Sequence, residues 1–221
     1  MNRVIAIDGP SGAGKSTIAK KLAEKLGFEY LDTGALYRAV ALALVRAGIK
    51  PEEDDVKIKE FLDKGIKIEF NSGGLRLNGE DVSIEIRTKE MGHYSSVFSA
   101  RKPVREFLLP LQRKMGEGKD LVAEGRDMTT VVFPKAWKKF FLDASVEERA
   151  KRRYEQLKDG PGPITMEEAF EDVMERDRRD SSRALAPLSK IPDALYIDSS
   201  GLRAEDVLAK ILAAVEKEKD P

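Results

Sequence analysis

The sequence predicts an α/β fold, a parallel β-sheet flanked by helices, with a small inserted antiparallel β-containing unit. Three observations predict it. A short apolar run, Val4 to Ile7, leads through a glycine-rich turn into a helical repeat of apolar residues. The same strand-then-helix rhythm returns after residue 101. Between the two stretches, alternating residues around an Asn78-Gly79 pair mark hairpins instead. Right-handed crossovers between successive strands then make the main sheet parallel.

Taken in order, Val4 to Ile7 is a buried strand bounded by Asp8 and Gly9. Ile18, Ala19, Leu22, Ala23 and Leu26 share one helix face, and Gly27 supplies a left-handed stop. Phe28 to Asp32 is the second strand. Leu36, Tyr37, Val40, Ala41, Leu44 and Val45 mark a helix ending near Gly48. Ile66 to Phe70 and Leu75 to Leu77 are short strands joined by a turn at Asn71 to Gly74, and a third strand starts at Asp81. We read Pro51 to Arg101 as the insertion. Pro103 suits the first turn of a helix, which Pro110 then kinks. Asp120 to Ala123 and Lys139 to Leu142 are strands. Ser145 to Glu148 and Thr165 to Glu168 are capping boxes, separated by a Gly160-Pro161-Gly162-Pro163 loop. Leu195 to Ile197 is the last strand, and a helix over Arg203 to Lys217 closes the chain.

Composition excludes several chemistries. The 221 residues carry 39 basic and 39 acidic side chains, so bulk charge gives no reason to expect nucleic acid. With no cysteine, disulfides, thiolate metal sites and cysteine nucleophiles are out. The single histidine, His93, makes neither a triad nor a histidine metal cluster. The longest apolar run, Ala39 to Val45, is far shorter than the roughly 20 residues of a membrane span. Only a few residues precede Gly9, so a leader peptide is not expected. These features lead us to expect a soluble, cytoplasmic protein.

The most specific signal is Gly9-Pro10-Ser11-Gly12-Ala13-Gly14-Lys15-Ser16, which matches G-x-x-x-x-G-K-[ST] between a strand and a helix. Glycines there let backbone N–H groups converge on phosphate oxygens, and the helix adds its positive end. Lys15 reaches the β- and γ-phosphates, and the Ser16 hydroxyl suits Mg²⁺. No N-K-x-D guanine motif is present. Asp198-Ser199-Ser200-Gly201 matches D-x-x-G but reads as a strand-to-helix turn. Glu124, at a strand end, is either a metal-side acid or an ordinary strand-end acid.

Arg176, Asp180 and Arg183 fall on one helix face beside the stripe Met166, Ala169, Phe170, Val173 and Met174. They either rim a cleft or form a solvated helix end. Arg126-Asp127 and Thr33 to Arg38 follow strand ends, where ligands bind in open α/β sheets. Arg149, Lys151, Arg152 and Arg153 are either a solvated face or arginines that close over a nucleotide.

With these segments in hand, the chain resembles the bacterial-type cytidylate kinases over nearly its full length. The resemblance is carried by IDGPSGAGKST (Ile7 to Thr17), LDTGALYR (Leu31 to Arg38), EDVSIEIRT (Glu80 to Thr88), EGRDMTTVVFP (Glu124 to Pro134), FLDASVEERAKRR (Phe141 to Arg153) and ERDRRDSSRALAPL (Glu175 to Leu188). It implies a P-loop kinase fold. Residues 1–50 and 102–221 form the core, with a short lid around 150–164, and residues 51–101 form the nucleoside-monophosphate-binding insertion. It further implies that Gly9 to Thr17 bind ATP. At the acceptor site, Ser96, Arg105 and Asp127 read the cytosine, and Arg176 and Asp180 hold the sugar. Thr33 stands where a serine is common, and Arg38, Arg126 and Arg183 take the phosphate. Lys15, Arg126 and Arg183 are the implied catalytic residues, Arg149, Arg152 and Arg153 the lid candidates, and Ser16 the contact to Mg²⁺. The sequence departs from the family pattern at Met128-Thr129-Thr130, where Met-Gly-Thr is usual, and at Met91 to Tyr94.

The implied reaction is phosphoryl transfer from ATP to CMP or dCMP in a monomer, with no nucleic-acid or membrane partner. Two other readings are a P-loop kinase for a small metabolite such as shikimate, and a nucleotide-binding module without turnover.

Overall fold

The computed structural model describes residues 2–71, 74–160 and 163–217. The strands of the main sheet are β1 (Val4–Asp8), β2 (Glu29–Asp32), β6 (Leu121–Gly125), β7 (Lys138–Asp143) and β8 (Leu195–Asp198). They lie in the order β2-β6-β1-β7-β8, every pair parallel. The helices are α1 (Lys15–Leu26), α2 (Thr33–Arg46), α3 (Asp55–Asp63), α4 (Lys89–Phe98), α5 (Lys102–Met115), α6 (Val146–Leu157), α7 (Met166–Ser182) and α8 (Ala204–Glu216). A separate antiparallel sheet holds β3 (Ile68–Asn71), β4 (Gly74–Leu77) and β5 (Glu80–Asp81).

Side-chain alternation along the strands divides the core in two. Ala6, Leu31, Leu121 and Ala123 face α2, α5 and the insertion in one apolar cluster. Ile5, Ile7, Val122, Phe140 and Leu142 face α1 and α8 in the other. Ile58, Leu75, Val82, Ile86 and Phe98 of the insertion join the first cluster. The insertion is thus packed on α2 and α5, with α4 against α2 and α3 against α5.

Several local expectations are met. Gly27 adopts a left-handed conformation after α1 and donates its N–H to Ala23. Asn78 and Gly79 both have positive φ, as a type I′ hairpin turn requires. The Thr165 capping box is complete, whereas the Ser145 box is only half formed. Ser145 caps Glu148, but the Glu148 carboxylate turns to Arg152 and the Ser145 N–H goes to Ser200 Oγ. Helix α5 runs unbroken through Pro110. The expected turn at Asn71 to Gly74 and the Gly160 to Pro163 loop fall partly outside the described residues.

Candidate active site

All five parallel strands end on the same side, and the segments that follow β1, β2 and β6 line one cleft, closed by residues of α4, α6 and α7. The phosphate loop forms one wall. Gly9 is fixed by close approach, because a Cβ there would sit 1.9 Å from the Leu142 carbonyl oxygen. Gly12 has φ 77°, and a Cβ would press on the Arg149 backbone at 2.7 Å. Gly12, Gly14, Lys15, Ser16 and Thr17 face the cleft together with Ser11. Gly9, Pro10 and Ala13 lie behind, and the Pro10 carbonyl accepts from Lys15 Nζ at 2.7 Å. Burial, and then the Arg126 charge, pull the Lys15 ammonium down to about 7.

Ser16 Oγ donates to Glu124 Oε1 at 2.6 Å. Strand register pairs Glu124 on β6 with Asp32 on β2, and both carboxylates face the cleft. Burial first, and the neighbouring Asp32 second, raise the Glu124 carboxyl above its ordinary range. A hydroxyl and carboxylates are hard oxygen donors, and among the described residues no three acidic or histidine side chains form a complete metal cage. That set suits a divalent cation that completes its shell with substrate phosphates and water.

The opposite wall is cationic. Arg126 Nε donates to Asp180 Oδ2 at 2.9 Å, Arg176 lies 4.0 Å from the same oxygen, and Arg183 lies 3.6 Å from Asp180 Oδ1. Arg38 pairs with Asp32 at 3.3 Å. Burial, then Arg126, lower the Arg176 guanidinium to about 10. Arg126 is held above its ordinary value because Asp180 and Glu124 outweigh its burial. Arg38 Nε, Arg176 Nε, Arg183 Nη2 and Arg153 Nη2 are buried without a hydrogen-bond partner in the protein. Four such donors around one cleft fit an anion with several oxygens.

At the far end, α4 places Ser96 in the wall with its hydroxyl buried and unpartnered. Asp127, just past β6, accepts from Arg105 on α5. Arg105 also donates to the Ser99 carbonyl at 3.1 Å and lies over the Tyr37 ring at 5.7 Å. Thr33 Oγ1 donates to the Glu124 carbonyl at 2.7 Å, tying α2 to β6.

The basic run on α6 divides. Arg149 is buried and donates to the carbonyls of Ala144 and Ser11 and to Asp177. Arg152 donates to the Ala13 carbonyl and to Ser199. Both therefore hold the phosphate loop from behind. Arg153 faces the cleft and donates to Asp172 at 2.8 Å.

Sequence reasoning missed three contributors. Asp8 accepts from the Met128 N–H and from the N–H and hydroxyl of Thr129, bracing the π-helical turn Met128–Val132 that carries Asp127 at its start. Tyr37 underlies Arg105, and Asp32 completes the acidic pair. Asp8 and Asp32 both stand at strand ends, the one signal that marked them.

A family model for cytidylate kinase matches residues 5–217. The chain is 53% identical to a cytidylate kinase of Thermodesulfovibrio yellowstonii, with 99% of this chain and 100% of that protein covered. It is 50% identical to a cytidylate kinase of Citrifermentans bemidjiense, covering 97% and 93%. A solved structure from Eubacterium ventriosum, described as an uncharacterized protein, shares the fold with a TM-score of 0.56 at 15% identity, covering 98% of this chain and 100% of that one. A phosphate loop facing an arginine wall, on a chain that matches one family from end to end, makes this protein a member of the cytidylate kinase family.

Proposed function

We propose that the protein transfers the γ-phosphoryl group of ATP to CMP or dCMP, giving ADP and CDP or dCDP, in pyrimidine nucleotide metabolism. The observation that carries this reading is the layout of the cleft. It has a phosphate loop on one side and, facing it, arginines with unpartnered donors, and its far end is lined by Ser96 and Asp127.

The acceptor oxygen belongs to a phosphate that is already anionic near neutral pH, since its second pKa is about 6. No general base is required, which suits a cleft without histidine or cysteine. Catalysis is positioning and charge stabilisation. The loop backbone holds the donor phosphates, Lys15 neutralises charge on the transferring group, Arg126 and Arg183 hold the acceptor phosphate in line, and Arg176 and Asp180 stand at the sugar. Arg38 adds a further charge from α2. Mg²⁺ bound with ATP would be held by Ser16, with Glu124 and Asp32 beside it, and supplies charge neutralisation on the phosphates. Closure of Arg153 and the α6–α7 hairpin over the cleft keeps water from the reacting phosphate.

The cleft is built within one chain, which supports a monomer as the working unit. Free nucleotides as substrates support action in the cytoplasm. Among the described residues no helix is long and apolar enough to cross a membrane. The balanced charge gives no support to nucleic-acid binding. A coupled ADP-release assay across CMP, dCMP, UMP, AMP, GMP and shikimate tests the reading. Turnover with CMP and dCMP well above the rest is expected; turnover with shikimate alone, or with none, overturns it.

A further inference from the structure

Asp127 opens the π-helical turn Met128–Val132 but its side chain does not cap it. Its carbonyl accepts from the N–H groups of Val131 and Val132 at 2.9 and 3.1 Å, which closes the turn. The N–H groups at the start of such a turn have no partner inside it. An aspartate in the opening position ordinarily turns its own carboxylate back onto them. Here that carboxylate accepts from Arg105 instead. The N–H groups of Met128 and Thr129 go to Asp8 at 2.9 and 2.8 Å, one to each carboxylate oxygen. The Thr129 hydroxyl adds a third bond, to Asp8 Oδ2 at 2.6 Å. Asp8 is fully buried at the end of β1, the central strand, paired with β6 on one side and β7 on the other. It is therefore fixed by the sheet, and the cap it provides does not depend on the turn.

We propose that Asp8 and Thr129 are positioning residues for base choice: by capping the turn from the neighbouring strand they release the Asp127 carboxylate to Arg105 and the cytosine. This rests on reading Asp127 as the residue that meets the base. Thr129 is the turn's own part of the device. Its hydroxyl and its N–H both donate to Asp8 Oδ2, so the threonine pins that carboxylate over the start of the turn. A second carboxylate brought there would meet a like charge in a buried place, so the Asp8 cap also keeps Asp127 out. When the cap is loosened, the freed N–H groups become the partners that an aspartate in this position ordinarily takes, and they draw Asp127 off Arg105.

The test is kcat/KM for CMP and for UMP, with ATP saturating, in the parent, Thr129→Val, Thr129→Ser, Asp8→Asn, Asp127→Ala and the double variant of Thr129→Val with Asp127→Ala. Valine keeps the branched shape and removes only the hydroxyl, whereas serine keeps the hydroxyl. Thr129→Val is expected to narrow the CMP-to-UMP preference by about 3–10-fold, the worth of one hydrogen bond, with ATP affinity unchanged. Thr129→Ser is expected to hold the preference of the parent. Asp8→Asn turns an amide N–H₂ toward the turn's own donors and is expected to narrow the preference further; should that variant not fold, Thr129→Val carries the test. In the Asp127→Ala background Thr129→Val is expected to change the preference no further, because the reader is gone. If Asp127→Ala narrows the preference and Thr129→Val does not, whatever its melting temperature, the proposal is overturned and the reading of Asp127 stands. If Asp127→Ala leaves the preference unchanged, both are overturned. Equal narrowing by Thr129→Val with and without Asp127 overturns the positioning role. A parent that does not turn over CMP overturns the proposed function, and this proposal with it.

Discussion

Asp180 on α7 reaches across the cleft to Arg126 behind β6, and its carboxylate at 2.9 Å is the counter-ion around which Arg126, Arg176 and Arg183 gather. Burial by itself raises the Asp180 carboxyl, but the three arginines outweigh it and hold the group below its usual range. Three arginines of the wall thus share this one acid, which ties helix α7 to the loop that follows β6.

The first prediction follows. Asp180→Asn removes the counter-charge and leaves three crowded guanidinium groups. Stability is expected to fall by about 1–3 kcal/mol near neutral pH, read by urea unfolding. The sign with pH is set by the depressed carboxyl. Its stabilisation is fully present above the unfolded value of about 3.9 and is lost as pH falls through the folded value. The gap between parent and variant should therefore close in acid. A gap that widens in acid contradicts the assignment.

Lys15 gives the second prediction. With its ammonium lowered to about 7, part of the substrate-free enzyme carries a neutral lysine at slightly alkaline pH. The triphosphate raises that value again, so ATP binding takes up a proton above neutrality and weakens as pH rises through 7. Calorimetry in two buffers of different ionisation enthalpy measures the uptake. Lys15→Ala should abolish the uptake and lower turnover by about 10²–10³-fold. It should not lower the melting temperature. A folded value below the unfolded one of about 10.4 means that the charged lysine opposes folding, and that this opposition is relieved as pH rises between the two.

Arg183 donates through Nε to the Ala186 carbonyl at 2.7 Å and keeps Nη2 buried without a partner. Its contacts, to Ala186 and Asp180, lie on the side of the cleft that we propose for the acceptor. Arg183→Ala is expected to cut turnover by about 10²-fold and leave ATP affinity without CMP unchanged. Equal losses in both, measured by stopped-flow binding and steady-state rates, would move Arg183 to the donor site.

How much of this was legible in the sequence depends on chemical range. The phosphate loop, Gly27, the Asn78-Gly79 turn and the Thr165 box are local devices, each decided by neighbours a few residues away, and each is found where its residues predict. Helix α4 was missed because its buried face is Met91, Gly92, Ser95, Ser96 and Phe98, which leaves no apolar period to read. Helix α3 was missed because its nine residues bury only Ile58 and Leu62 among many charges. The Asp8 brace and the Arg149 and Arg152 contacts join residues more than a hundred positions apart, and a charge run alone does not reveal a partner at that distance. Arg149 is the sharper case. A residue type that reads as surface is buried, because the Ser11 and Ala144 carbonyls and Asp177 satisfy its donors.

Base choice is the fourth prediction. Cytosine carries an N4 amino donor, whereas uracil presents O4, an acceptor. Asp127 is buried at the end of the cleft that we propose for the acceptor base, bonded on one side by Arg105. A carboxylate there accepts from N4–H and meets O4 as an unmatched acceptor, at a cost of about 1–3 kcal/mol. Asp127→Ala should lower kcat/KM for CMP far more than for UMP, narrowing the preference by at least about tenfold. Equal falls in both rates would assign Asp127 to holding Arg105 alone.

The central claim is that one cleft passes a phosphoryl group from ATP to the phosphate of a cytidine nucleotide and not to water. Phosphorus NMR of the protein with ATP, Mg²⁺ and CMP measures this directly. The account predicts matched growth of ADP and CDP signals with no inorganic phosphate, and no reaction when CMP is left out. ADP growing with inorganic phosphate while CMP stays unchanged would contradict it.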